Sequence, residues 1–151
     1  HYFSTKEQLI YQVMSKKAFE LMNNIKEKYK YEESYIYKIN LIFEIYLNEE
    51  KSFRDLRKLY INTFHMYVTS SDDEIKKFNN NVYKDIFDSL EQIFDDEIQK
   101  GNFHLDSKNL AKSLCATADG MFLLSVMIEN YDLKTQLTNY FLEIEKLSKI
   151  N

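Results

Sequence analysis

The chain has 151 residues, 44% of them hydrophobic, with no proline, two glycines and a formal charge of −4. That length suits one domain with a single sizeable core, and the scarcity of turn residues excludes a strand-rich fold. The acidic balance excludes a broad surface for neutralising phosphates.

The single cysteine, Cys115, rules out an internal disulfide and fits a reducing, cytoplasmic setting. No apolar run approaches the roughly 20 residues of a membrane span, and no signal peptide opens the chain, so no membrane partner is expected.

Thr5 and Ser4 each offer a capping box, Thr5-x-x-Gln8 or Ser4-x-x-Glu7, which satisfies free amides at a helix start. Ile10, Met14, Ala18, Leu21, Met22 and Ile25 follow at helical spacing, so a first helix should run from residue 5 into the polar stretch 28–33. A second is predicted over 34–48, apolar on most sides through Ile36, Ile39, Ile42, Phe43, Ile45, Tyr46 and Leu47. Such a helix must be covered on most sides. A third, over 52–67, turns Leu56, Leu59, Tyr60, Phe64 and Tyr67 inward. Ser71-Asp72-Asp73-Glu74 marks a fourth start, with acids where the helix dipole favours them. Ile75, Phe78, Val82, Ile86, Leu90 and Ile93 carry that helix to Lys100, and Gly101 ends it in a left-handed conformation. Asp106 caps a fifth helix reaching residue 130, and a sixth over 133–147 repeats Leu137, Tyr140, Phe141, Ile144 and Leu147. The expected fold is all-α, a bundle of about six helices.

His1-Tyr2 with Phe3 to Leu9, and Gly101-Asn102-Phe103 with the Asp106 cap and Ala116 to Met121, resemble segments of the TetR family of transcriptional regulators. Phe3-Ser4-Thr5-Lys6-Glu7-Gln8-Leu9, with His1 and Tyr2 ahead of it, looks like the family's junction between recognition helix and connecting helix. Gly101-Asn102-Phe103, the Asp106 cap and Ala116-Thr117-Ala118-Asp119-Gly120-Met121 resemble the family's later helices. The resemblance implies that residues 1–4 are a remnant of a helix-turn-helix DNA-binding domain and 5–151 an effector-binding and dimerisation domain. It implies a homodimer through the last two helices, with Leu114, Phe122, Leu137, Phe141 and Ile144 at the seam. It further implies operator DNA as a partner of the intact protein, with His1, Tyr2 and Lys6 at phosphates. The departure from the family is that the first three helices of the DNA domain are absent, so this chain alone should not bind an operator.

The mechanism so implied is that of a repressor. An effector between the middle helices shifts the first helix and changes the spacing of two reading heads, which dimeric readers hold about 34 Å apart. A competing reading is a helical adaptor without a ligand, which predicts no enclosed cavity. An enzyme such as a di-metal oxidase needs Glu-x-x-His on its helices, and the chain has none. No enzymatic activity, cofactor or metal is expected.

Twelve tyrosines and eleven phenylalanines are a heavy aromatic load for this length. Phe43, Tyr46, Tyr60, Phe64, Tyr83, Phe87, Met121 and Phe122 are candidates to line a pocket for an apolar or aromatic effector. Ordinary core packing is the other reading of the same stripes. Asp119 stands in an apolar run, where a buried carboxylate is costly unless paired. A ligand cation or a hydrogen bond in the dimer seam would each suit it, but the preferred expectation is that it reaches solvent at the helix flank. Gly120 costs about 1 kcal/mol against Ala in a helix, and close helix approach is its expected reason. His65 and His104 lack a second ligand at metal spacing. Cys115 reads as a small core residue rather than an oxidant sensor, and Asp95-Asp96-Glu97 as a solvated face.

Overall fold

The computed structural model of the chain describes residues 5–29 and 34–150. Among these residues it is an all-α bundle of eight helices. They are α1 (Thr5–Tyr29), α2 (Tyr35–Ile42), α3 (Glu44–Leu47), α4 (Lys51–Asn62), α5 (Phe64–Thr69), α6 (Asp73–Gln99), α7 (Ser107–Met127) and α8 (Leu133–Ser148).

Eight helices stand where about six were expected because two of the predicted ones bend. The second breaks at Phe43 (φ −100°, ψ 19°) and the third at Thr63 (φ −114°, ψ 7°). Neither site holds Gly or Pro. At Thr63 the side-chain hydroxyl donates to the Leu59 carbonyl at 2.8 Å, offering the backbone a local partner that bends helices. At Phe43 the ladder continues through the bend: its N–H donates to Ile39 (3.2 Å) and its carbonyl accepts from Tyr46 (2.9 Å). The axis turns without a loop, which sends Phe43 against Phe141 (ring centroids 5.1 Å apart) and stacks Tyr46 on Phe122 (4.7 Å).

Asp106 caps α7 as expected, whereas α6 is capped by Asp72 in place of the Ser71 capping box and α8 by Asp132, which the sequence reading did not single out. Asp72 accepts from the Glu74 and Ile75 amides, Asp106 from Asn109, and Asp132 from Thr135. Gly101 closes the α6 end with φ +75°, a conformation that costs glycine nothing. The capping boxes at Ser4 and Thr5 lie outside the described residues and side chains.

The central packing is α6 against α7, with α2 and α8 laid beside them. Ile39, Leu90, Phe94, Leu114, Ala118 and Leu137 have no exposed surface. The Asp95-Asp96-Glu97 reading needs correction at its last residue. Glu97 is buried; its carboxylate accepts from Asn102 Nδ2 at 2.8 Å, and its carbonyl accepts from the Asn102 amide. It holds the α6–α7 turn together.

Four of the five seam residues, all but Ile144, also need correction. Leu114, Phe122, Leu137 and Phe141 are buried inside the single chain, and Ile144 is half-buried against the same core. A side chain with no surface in a lone protomer has none to offer a second one. The apolar residues that α7 and α8 leave outside are instead Leu124, Val126, Met127, Leu142 and Leu147. Gly120 differs from expectation too: a Cβ there would meet nothing within 4 Å, so no helix of this chain approaches it closely. Helix α7, contrary to the sequence reading, is long and apolar enough to cross a membrane by length and composition. Its face of Ala111, Leu114, Cys115, Ala118 and Phe122 is packed into the bundle.

Candidate functional site

A cavity of about 140 Å³ lies between α1, the bent α2–α3 and α4–α5 pairs, α6 and α7. Helix α1 contributes Met14, Ala18, Leu21 and Met22, one continuous stripe at helical spacing. The α2–α3 bend supplies Ile42, Ile45 and Tyr46, and α4 and α5 supply Leu56, Tyr60 and Tyr67. Helix α6 adds Phe78, Asn79, Val82, Tyr83 and Ile86. The single α7 residue in this wall is Asp119. A second chamber of about 220 Å³ shares Tyr46, Tyr60, Tyr67, Asn79, Tyr83 and Asp119 and adds Phe64, Val68, Phe122 and Leu123.

Asp119 is the polar centre of both chambers. Its Oδ1 accepts from the Tyr46 hydroxyl at 2.6 Å and its Oδ2 from the Tyr83 hydroxyl at 2.7 Å. Burial pushes its carboxyl above the usual value, while the two tyrosine hydrogen bonds pull the other way without cancelling the rise. The effect is mutual. Burial and then the negative charge of Asp119 push the Tyr83 and Tyr46 hydroxyls well up, and Tyr60 up to about 12. Cys115, one turn earlier on α7, is raised to about 12 by the same two causes in the same order. A thiol so held stays protonated and unreactive, as a buried core cysteine should.

Five of the eight candidate pocket residues meet here: Tyr46, Tyr60, Phe64, Tyr83 and Phe122. Phe43, Phe87 and Met121 do not line either chamber. Phe43 is buried between Tyr46 and Phe141, and Phe87 and Met121 pack on the core from its margin. The expectation that Asp119 reaches solvent holds only in part: its side chain is half-buried, and both its oxygens accept from tyrosines of the cavity wall. The α1 stripe was legible as an apolar face, but nothing in its spacing said that it faces a void. Lys6 is exposed on α1, whereas His1 and Tyr2 lie outside the described residues. His65 and His104 are exposed, and among the described residues no cluster of His, Cys, Asp or Glu could hold a metal ion.

Basic side chains gather elsewhere. Arg54, Arg57, Lys58 and Lys134 border an open groove whose floor includes the other faces of Tyr46 and Phe122. Arg57 is tied into the scaffold by donating to the Ile45 and Asn48 carbonyls at 2.7 Å.

No family model, no curated protein and no solved structure matches this chain.

Proposed function

We propose that the chain is the effector-binding and dimerisation part of a TetR-like, ligand-responsive transcriptional repressor acting in the cytoplasm. The observation that carries this reading is the contribution of α1 to the cavity. The helix that would join a DNA-reading head supplies four of its wall residues, Met14, Ala18, Leu21 and Met22. Pockets for drug-sized ligands hold about 300–1,000 Å³, so a ligand of that size either spans the 140 and 220 Å³ chambers or displaces a wall. Helix α1 is a wall that can move if its ties yield. They include the edge contact of Tyr11 with Phe78 (ring centroids 5.7 Å), the Tyr11 hydroxyl on the Glu74 carbonyl (3.2 Å) and an exposed Lys26–Asp85 pair (3.7 Å). Exposed pairs of that kind contribute about 0–1 kcal/mol. A ligand that favours the displaced α1 would shift the population toward heads that no longer match the operator.

Two copies would pair through the outward face of α7, where Ala116, Gly120, Leu124 and Met127 fall at helical spacing, together with Leu142 of α8. The ligand-free adaptor reading gives no role to a carboxylate held by two tyrosines within an apolar hollow, and is the weaker of the two for that reason.

The test uses the protein with its helix-turn-helix segment ahead of α1, bound to operator DNA. Compounds that raise the melting temperature of the chain should weaken operator affinity at least tenfold at saturation. Ala18→Trp, which wedges the same chamber from α1, should weaken it without any compound. An operator affinity indifferent to both would overturn the reading.

A further inference from the structure

We infer that the cavity selects a lipophilic monocation, an aromatic or aliphatic body carrying one ammonium-type charge, with Asp119 as its counter-ion. The inference rests on the ligand-binding reading above and deepens it.

The charge inventory of the walls comes first. Among the described residues, Asp119 is the one charged side chain lining either chamber, and no Lys, Arg or His lines them. Nor does any described Lys, Arg or His form an ion pair with it; its two partners are neutral tyrosine hydroxyls. A half-buried carboxylate without a cation costs the fold free energy that an amide or an apolar group would not. Its presence here makes sense when a positive charge arrives with the ligand.

The surroundings suit such a charge. Tyr46, Tyr60, Phe122, Tyr67 and Phe78 form a connected set of rings, with Tyr46–Phe122 and Tyr60–Phe122 stacked at 4.7 and 5.9 Å. Aromatic faces attract cations, most strongly when water is excluded. The Tyr46 and Tyr83 hydroxyls meet at Asp119, so the negative charge of the cavity is concentrated at one point. Arg54, Arg57, Lys58 and Lys134 stand in the neighbouring groove, outside these walls. Size sets the probe. A cavity of roughly 150 Å³ holds one benzene ring, so the 140 Å³ chamber takes one ring, and the charged group lies at Asp119, where the 220 Å³ chamber adjoins it.

The experiment compares phenyltrimethylammonium with tert-butylbenzene, its neutral isostere, by ligand-detected magnetic resonance titration of the chain. The cation should bind at least tenfold more tightly. Asp119→Asn should lower its affinity to that of the isostere and leave the isostere unchanged. Asp88→Asn, which removes one exposed carboxylate, should bind the cation as the parent does, separating the site from the general acidity of the surface. Equal binding of cation and isostere by the parent, a readout that needs no variant to fold, overturns the charge assignment and leaves the ligand-binding reading standing. Undiminished cation binding by Asp119→Asn does the same. Binding of neither probe overturns both.

Discussion

The Tyr83 hydroxyl of α6 and the Asp119 carboxylate of α7 meet at 2.7 Å across the most extensive helix contact in the bundle. The contact joins the packing of the core to the polar centre of the cavity, because both helices also contribute to the central apolar cluster. Tyr46 reaches the other oxygen of the same carboxylate only because the chain bends at Phe43.

Removing one of those hydroxyls leaves a half-buried charge with a single donor. Tyr83→Phe should destabilise the fold by about 1–3 kcal/mol, the cost of an unsatisfied buried polar group. Urea unfolding at pH 7 measures it, and a loss below 0.5 kcal/mol would show that water replaces the hydroxyl without penalty.

The pH dependence has a definite sign. Burial raises the Asp119 carboxyl above 3.8 in the folded chain, so the folded state holds its proton more tightly than the unfolded state. The stabilisation from that proton is complete below 3.8 and is lost as pH rises through the raised folded value. Asp119→Asn should therefore be more stable than the parent at pH 7, with a higher Tm. The gap should close as pH falls toward 3.8. A gap that widens on acidification contradicts the direction.

Leu137 has no exposed surface within one protomer. Leu137→Ala should cost about 2–5 kcal/mol through the cavity it leaves, and calorimetry should show the loss at every protein concentration. Were Leu137 a seam residue alone, the loss would fade at high concentration.

The outward face of α7 behaves differently. Leu124 is 38% exposed, so Leu124→Glu should leave helicity and cavity unchanged. Light scattering should show the parent at twice 18.2 kDa and the variant at 18.2 kDa. A parent that scatters as a single chain removes the dimer from the proposal.

Much of the fold could be read from residue order alone. Helix starts at Asp72, Asp106 and Asp132 and the stop at Gly101 are set by side chains within a few residues of the backbone groups they satisfy. Apolar stripes such as Ile75 to Ile93 and Leu137 to Ile144 announced a helical bundle, since burial of one face follows from spacing. The bends at Phe43 and Thr63 could not be read, because neither carries a breaking residue and each is settled by what the two half-helices pack against. The site was hidden for a related reason. Five of its aromatics stood out by type, yet the inward turn of Asp119 depends on Tyr46 and Tyr83, which lie 73 and 36 residues away along the chain.

Local chemistry thus specified where helices begin, where they stop and which stripe each hides. Assembly specified which hidden stripes touch and which leave a void, because a stripe has no means of encoding the shape of the surface facing it. The same order of causes turned Leu114 and Leu137 into interior residues and left Leu124 and Met127 outside. Apolar side chains look alike to a periodicity, and only the crowding of neighbouring helices separates those that fill a core from those left in contact with water.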